Sequence, residues 1–480
     1  MSIFKTLFKD TFIYGLAMVL PKLLNLLLNY LYTDILENEG FSEVISFYVY
    51  AGFINVLLTY GMETAFFRFY NKSEKKEEVY TTALISLLIT LIVFVIISLI
   101  FKIELALFLK IPTPIFLMLV GLVAFDILAV IPFAYYRVKG KAFSYAGIRV
   151  FSMVIVFAFF NFFFLKWVPE YRISLPEIIT FENKETYVFL SNFIANASMV
   201  LLIFPSYFRF KWKFDKIIFK QMRQYGAPIL IAGLAFLIVE NLDKLILRDL
   251  LSKELMGAYG ACYKLGIFLT LFIQAFRMGV EPFFFNQAGK SNAKESYAVV
   301  LKFFVIFASL GILIVLSFLD LFVSLIISKK SFLITISIVP VILIANWCFG
   351  VYQSLSVWYK VTDKTKYGMY FTIFGAVITI AFNYILIPVM GYMAAAYATL
   401  VSYGSMMLLS YFYGRKKYRV PYPIVRILSY LFLALALSVL TWYLYPKNYL
   451  LKFGAILVYL SAVIFLEKES IKRLLKNPKD

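Results

Sequence analysis

The chain has 480 residues, 62% of them apolar and only 15% charged, with a formal charge of +20 and no histidine. Soluble domains run at about 45–50% apolar and about 25% charged, and a soluble fold of this length could not cover so much apolar surface. The lack of histidine removes the commonest metal ligand and general base. The two cysteines, Cys262 and Cys348, both lie inside apolar runs and suggest neither a disulfide framework nor a thiolate metal site.

Apolar runs of about 18 residues or more recur along the whole chain, each long enough to cross a hydrocarbon core of about 30 Å. They are continuous, whereas transmembrane barrels alternate over segments of about ten residues. They therefore read as helices, which satisfy their own backbone hydrogen bonds in lipid. In chain order the expected spans cover roughly 11–33, 44–66, 80–101, 114–136, 144–165, 187–208, 225–247, 257–283, 297–319, 332–358, 367–388, 392–413, 425–445 and 449–466. The first is full length and lacks a small-residue cleavage site, so no cleavable signal peptide is expected. The longest connection, about 166–186, holds Pro169, Pro176, Glu170, Glu177, Glu182 and Glu185. It is too small for a domain and reads as a solvated loop.

Charged residues deep in spans are costly and are functional candidates by default. Span 1 carries Lys22 near its centre, after Pro21, which can kink the helix. Asn25 and Asn29 continue the Lys22 face. Span 2 ends at Glu63, with Arg68 beyond it. Span 4 carries Asp126 near its centre. Span 7 carries Glu240 and Lys244 one turn apart, in the favourable order for an ion pair. Span 8 carries Lys264, roughly 10 Å from one end by helix rise, and Arg277 nearer the other, then ends at Glu281. Spans 13 and 14 precede a basic tail, Glu467–Asp480, expected near anionic headgroups.

Lys and Arg divide unevenly between alternate loops, by roughly three to one, and the richer side includes both termini. That side is expected to be cytoplasmic. A charge of +20 therefore reads as topology, and no nucleic-acid partner is expected.

The chain also repeats itself. Tyr14-Gly15 opens span 1 and Tyr225-Gly226 opens span 7. Span 2 ends in Gly61-Met62-Glu63-Thr64-Ala65-Phe66-Phe67, and span 8 in Gly279-Val280-Glu281-Pro282-Phe283-Phe284-Phe285. Polar loops follow each, 71–77 and 289–295, at a constant spacing of about 218 residues. An even number of spans between equivalent elements makes the repeats parallel, the transporter plan with a site between two halves near the midplane. The expected division is 1–212 and 213–413 for two six-helix lobes, with 414–480 as two added helices and the tail.

Three patterns resemble the polysaccharide-exporter flippases of the multidrug/oligosaccharidyl-lipid/polysaccharide superfamily. The first is Tyr60-Gly61-Met62-Glu63-Thr64-Ala65-Phe66-Phe67-Arg68-Phe69-Tyr70. The second joins Asp243-Lys244-Leu245-Ile246-Leu247, Gly257-Ala258-Tyr259 and Tyr263-Lys264-Leu265. The third joins Asn383-Tyr384-Ile385-Leu386-Ile387-Pro388 to Gly391-Tyr392-Met393-Ala394-Ala395-Ala396-Tyr397-Ala398-Thr399. The resemblance covers essentially the whole chain. It implies an all-α polytopic fold of about fourteen transmembrane helices, with two six-helix lobes in a V. It implies translocation of an undecaprenyl-diphosphate-linked oligosaccharide across the bacterial cytoplasmic membrane for O-antigen, capsule or exopolysaccharide assembly, driven by an ion gradient or the membrane potential. Membrane lipids, a polysaccharide polymerase and glycosyltransferases are the implied partners.

For such a substrate, Lys22, Lys264 and Arg277 are candidates for the diphosphate, and Asn25 and Asn29 for sugar or water. Lys22 and Lys264 snorkelling to the interface is the alternative. Asp126 is either a counter-ion to Lys22 or a coupling carboxylate. Glu63, Arg68 and Glu281 at one end, and Glu240 and Lys244 at the other, are gate contacts or structural pairs. A drug or cation exporter of the same superfamily is the rival reading, with Asp126 in its favour. No nucleotide-binding or zinc motif appears, so neither a catalytic site, a metal site nor a cofactor is expected.

Overall fold

The computed structural model describes residues 20–476, and no strand occurs among them. Among the described residues twelve helices are long and apolar enough to cross a membrane. Two of the fourteen expected spans are not in that set. Of the first, only residues 20–35 are described, and Tyr14-Gly15 lies outside the described residues. The seventh is part of a 35-residue helix, Lys216–Leu250, that carries Glu240, Asp243 and Lys244. Outward faces are apolar as lipid contact requires: Ile92, Leu107, Phe108, Leu201 and Phe465 are each more than half exposed.

The chain forms two compact units, Met1–Gly260 and Ala261–Asp480. The first contains α1 (20–35), α2 (Asn38–Thr59), α3 (Met62–Lys72), α4 (Lys76–Ile100), α5 (Lys102–Leu109) and α6 (Thr113–Val138). α7 (Ala142–Val150), α8 (Phe157–Phe162) and α9 (Val168–Glu170) form one span, joined by π-helical turns at Phe151–Val156 and Phe163–Trp167. α10 (Glu185–Ile203) and α11 (Lys216–Leu250) follow, and α12 (Lys253–Tyr263) leads into the second unit. Asp215 caps α11, its side chain accepting from the backbone N–H groups of Ile217 and Ile218, a contribution of about 1 kcal/mol.

Two Tyr-Gly pairs, Tyr60-Gly61 and Tyr225-Gly226, meet where two helices cross. α2 stops at Tyr60 and Gly61, both left-handed, with φ of 35° and 75°. The break lies directly on α11: a Cβ at Gly61 would stand 2.5 Å from the Gly226 carbonyl oxygen, and one at Gly226 would stand 2.5 Å from the Tyr60 carbonyl oxygen. At its other end α2 meets α12 as closely, where a Cβ at Gly257 would stand 1.9 Å from the Asn38 carbonyl oxygen. Only residues without a side chain permit these crossings.

The second unit contains α13 (Ile267–Gln287), α14 (Ala293–Ser317), α15 (Leu319–Ile326), α16 (Val339–Leu355), α17 (Val357–Val361), α18 (Lys366–Met390), α19 (Tyr392–Lys417), α20 (Ile424–Ser438) and α21 (Tyr449–Lys476). α19 packs against α16 and α18. Its Ala394, Ala395, Ala396 and Ala398 are fully buried, which explains the alanine run: small side chains let helices approach closely. Gly391 makes the α18–α19 turn at φ 63°.

The two terminal helices are not a loose appendage. Lys302 on α14 pairs with Glu467 on α21, which also accepts from the Tyr430 hydroxyl on α20 at 2.7 Å. Lys452 pairs with Asp320 at 2.9 Å, and the Tyr459 hydroxyl donates to the Ile306 carbonyl at 2.9 Å. Glu467, expected to begin a basic tail near anionic headgroups, is instead completely buried. A buried carboxylate persists only where partners satisfy it, and Lys302 and Tyr430 do so.

Candidate functional site

The first unit builds a polar cavity inside its apolar bundle. Asp126, in the middle of α6, accepts from the amide of Asn55 on α2 and from that of Asn196 on α10, both at 2.9 Å. Each carboxylate oxygen thus has one amide. Beside it opens a cavity of about 250 Å3, lined in part by Glu63, Asp126, Phe133, Tyr145, Arg149 and Asn196. Arg149, from the last turn of α7, donates to the Tyr145 hydroxyl at 2.8 Å. Among the described residues the Arg149 guanidinium shares this cavity with Asp126 and is a second counter-ion candidate beside Lys22. Glu63 is paired with Arg137 of α6 at 3.0 Å, and the Arg137 guanidinium lies 4.8 Å over the Phe67 ring.

Of the span 1 candidates, Asn29 is buried, Lys22 half-buried and Asn25 exposed. Arg68 does not join Glu63; its guanidinium lies 4.4 Å over the ring of Tyr225.

A second cluster lies at the opposite ends of α2 and α11. Lys244 donates to the Glu240 backbone carbonyl at 2.6 Å and pairs with the buried Asp243 at 3.1 Å. Asp243 also accepts from the Tyr259 hydroxyl at 2.9 Å. Further along, Arg248 donates to Tyr50 at 2.7 Å, Asp249 pairs with Lys110 at 2.9 Å, and Lys253 pairs with Glu43 at 2.6 Å. Burial alone would raise the Asp249 carboxyl, but hydrogen bonds and charge from Lys110 and Arg248 outweigh it and hold it below the ordinary carboxylate range.

In the second unit Lys264 stands half-buried at the 3₁₀ turn Lys264–Gly266 between α12 and α13. The Asn346 amide braces that turn through the Gly266 carbonyl at 3.1 Å. Arg277 is half exposed, with Nε 3.8 Å from Glu281, and Glu281 also accepts from Lys360 of α17. This arrangement repeats the first unit: an acid closing span 2 or span 8 (Glu63, Glu281) meets a base closing span 4 or span 10 (Arg137, Lys360).

Arg149, Asn55, Asn196, Arg137 and Lys360 were not among the residues that sequence reasoning selected. Asn55 and Asn196 carried a signal as amides inside apolar runs, and once the Glu63–Arg137 pair is known the repeat leads from Glu281 to a base near the end of span 10.

Charged and amide side chains gathered among helices of this length define a polytopic α-helical membrane protein with a partly polar, partly open cavity among the spans of its first unit. The chain belongs to the polysaccharide biosynthesis protein family, whose model matches residues 7–286. The MatE family model matches residues 228–385. No curated protein matches the chain in sequence. Among solved structures, the chain is similar to the lipid II flippase MurJ in an inward closed conformation, at 16% identity and a TM-score of 0.73, over 95% of this chain and 99% of that one. It is also similar to an inward-facing multidrug resistance MATE transporter of the MOP superfamily, at 13% identity and 0.61, over 84% and 97%. A MOP superfamily transporter from Pyrococcus furiosus, described as having a binding pocket of reversed polarity, matches at 14% identity and 0.60, over 86% and 95%. At these identities what is shared is the fold.

Proposed function

We propose that this protein is a flippase that moves an undecaprenyl-diphosphate-linked oligosaccharide from the cytoplasmic to the outer leaflet of a bacterial inner membrane, for O-antigen, capsule or exopolysaccharide assembly. Membership of the polysaccharide biosynthesis family and the fold shared with a lipid II flippase support the reading. The observation that carries it is the cavity holding Asp126, Arg149 and Asn196 within apolar spans. Such groups are costly in a membrane and persist where a polar cargo uses them.

The task sets the requirements. A diphosphate with sugars cannot cross hydrocarbon unaided, whereas its lipid tail can stay in the bilayer. The protein supplies cationic and hydrogen-bonding groups along the path and opens alternately to each side. Lys22, Lys264 and Arg277 serve the diphosphate, Asn25 and Asn29 the sugars, and Asp126 couples movement to a cation or proton. Glu63 with Arg137, Arg68 with Tyr225, and Glu281 with Lys360 lock the cytoplasmic ends. Glu240, Lys244 and Asp243 belong to the outer end. Both termini are cytoplasmic, 1–212 and 213–413 are the moving lobes, and a polymerase and glycosyltransferases act on either side of the step. Export of cationic drugs is the second reading, favoured by the buried Asp126 and the MatE match.

The test is a conditional depletion strain in which the lipid-linked oligosaccharide and its leaflet are quantified. Depletion leaves the full-length unit on the cytoplasmic side; wild type restores export, and Lys22→Ala or Arg277→Ala restores it poorly. Normal arrival at the outer leaflet without the protein rejects the reading for that lipid and leaves drug export as the leading account.

A further inference from the structure

The two charged groups that matter most in the first unit's cavity face it without touching. Asp126 has each carboxylate oxygen engaged by an asparagine amide, from Asn55 and Asn196. Arg149 has no carboxylate within ion-pair distance among the described residues. Its hydrogen bond goes to a neutral hydroxyl, that of Tyr145 at 2.8 Å, and its guanidinium stands 5.9 Å from the Phe133 ring centre and 5.8 Å from that of Tyr145. The third charged group in the wall, Glu63, is neutralised by Arg137 at 3.0 Å. Among the described residues Tyr48, held by the Asn192 amide at 2.9 Å, also lies within electrostatic reach of Asp126.

A guanidinium carries five N–H donors in a planar fork that matches phosphate oxygens. Among the described residues one hydrogen bond occupies it, in a cavity whose other basic neighbour is already paired. The volume, about 250 Å3, falls below the range of about 300–1,000 Å3 typical of sites for drug-sized ligands. It suits one charged group of a larger molecule. A π-helical turn begins two residues after Arg149, at Phe151, a distortion frequent at functional sites.

We infer that Arg149 forms an anion subsite within the first unit that takes a phosphoryl group of the lipid-linked substrate, with Asp126 as the fixed negative charge that limits its affinity. The inference rests on the flippase reading for the identity of the ligand, and on the cavity alone for the site. Asp126 and the anion compete for the same guanidinium field. Neutralising Asp126 therefore tightens anion binding, and binding of the anion in turn favours neutral Asp126, because coupling between two sites is reciprocal. One cavity thereby links cargo occupancy to the charge state of a carboxylate.

The test is binding of farnesyl diphosphate and of inorganic pyrophosphate to the purified full-length protein in detergent, at fixed pH and low salt. Arg149→Gln is expected to raise the Kd for farnesyl diphosphate about tenfold or more, as loss of a charge-assisted contact in a low-dielectric site does. Asp126→Asn is expected to lower it by about threefold or more. Opposite signs from two substitutions in one cavity are not what a general loss of packing produces. If Arg149→Gln does not give monodisperse protein, Arg149→Lys, which keeps the charge without the fork, is expected to weaken binding by about threefold. Unchanged binding by the Arg149 variants, or a change of the same sign from Asp126→Asn, overturns the subsite. Pyrophosphate binding as tight as farnesyl diphosphate overturns its assignment to a lipid-borne group. Loss of the subsite with oligosaccharide export intact sinks this inference alone, whereas an intact subsite with no export of that lipid sinks the flippase reading and the ligand's identity and leaves the anion site standing.

Discussion

The Lys302–Glu467 pair allows a quantitative test of how the terminal helices are held. Lys302 is 6% and Glu467 0% exposed at the side chain, and Glu467 also accepts from Tyr430 and lies 3.7 Å from Arg426. Removing one partner of a buried pair costs about 3–5 kcal/mol where the other charge is left uncompensated. Arg426 stays 3.7 Å from Glu467, so Lys302→Met should destabilise the second unit by about 3 kcal/mol, the lower end of that range. For a unit of this size 1 kcal/mol corresponds to roughly 2–4 °C in Tm, so the melting temperature in detergent should fall by about 6 °C or more. The double variant Lys302→Met with Glu467→Gln removes the orphaned charge while leaving an oxygen for the Tyr430 hydroxyl. It should recover most of the loss. Thermal unfolding followed by fluorescence-detected size exclusion reads both. If the double variant melts as low as the single one, or the single variant melts like wild type, the pair does not hold α20 and α21 in the way described.

Two further outcomes follow. Gly61→Ala adds a methyl at φ 75° and 2.5 Å from the Gly226 carbonyl oxygen, so it should cost more than about 2 kcal/mol and reduce the yield of monodisperse protein; Gly404→Ala, with nothing within 4 Å of its new Cβ, should be tolerated. Asp249, whose folded carboxyl is held below its ordinary value, contributes stability that is present above the unfolded carboxylate pKa of about 3.9 and is lost as pH falls through the lower folded value. Asp249→Asn should flatten the acid limb of a Tm-against-pH profile below about pH 4 and leave the neutral region nearly parallel to wild type.

Much of this molecule is written in its sequence because lipid imposes simple rules. Continuous apolar length gives the spans, and the depth of Asp126 in span 4 marks it as exceptional. The Gly61-Met62-Glu63 and Gly279-Val280-Glu281 segments stand out as a repeat before the matching Glu63–Arg137 and Glu281–Lys360 pairs are known. What the sequence withholds is which helices meet. Asn55 and Asn196 lie 141 positions apart, and nothing local ties either to Asp126. Arg149 lies near the start of its span, where a headgroup contact is an adequate explanation, so its place in a cavity appears only with the fold. Glu467 reads as the first residue of a charged tail because its partner, Lys302, is 165 positions earlier. Lys360 could be reached by extending the repeat from Glu281, but its role depends on α17 lying beside the end of α13.

The measurement that tests the central claim most directly is translocation in proteoliposomes made from the purified protein and a defined undecaprenyl-diphosphate-linked oligosaccharide, read by the fraction of sugar open to an external glycan-oxidising reagent. The account predicts that this fraction rises above the protein-free level, that Asp126→Ala lowers the rate, and that an ion gradient changes it. An accessible fraction equal to that of protein-free vesicles, with and without a gradient, would contradict it.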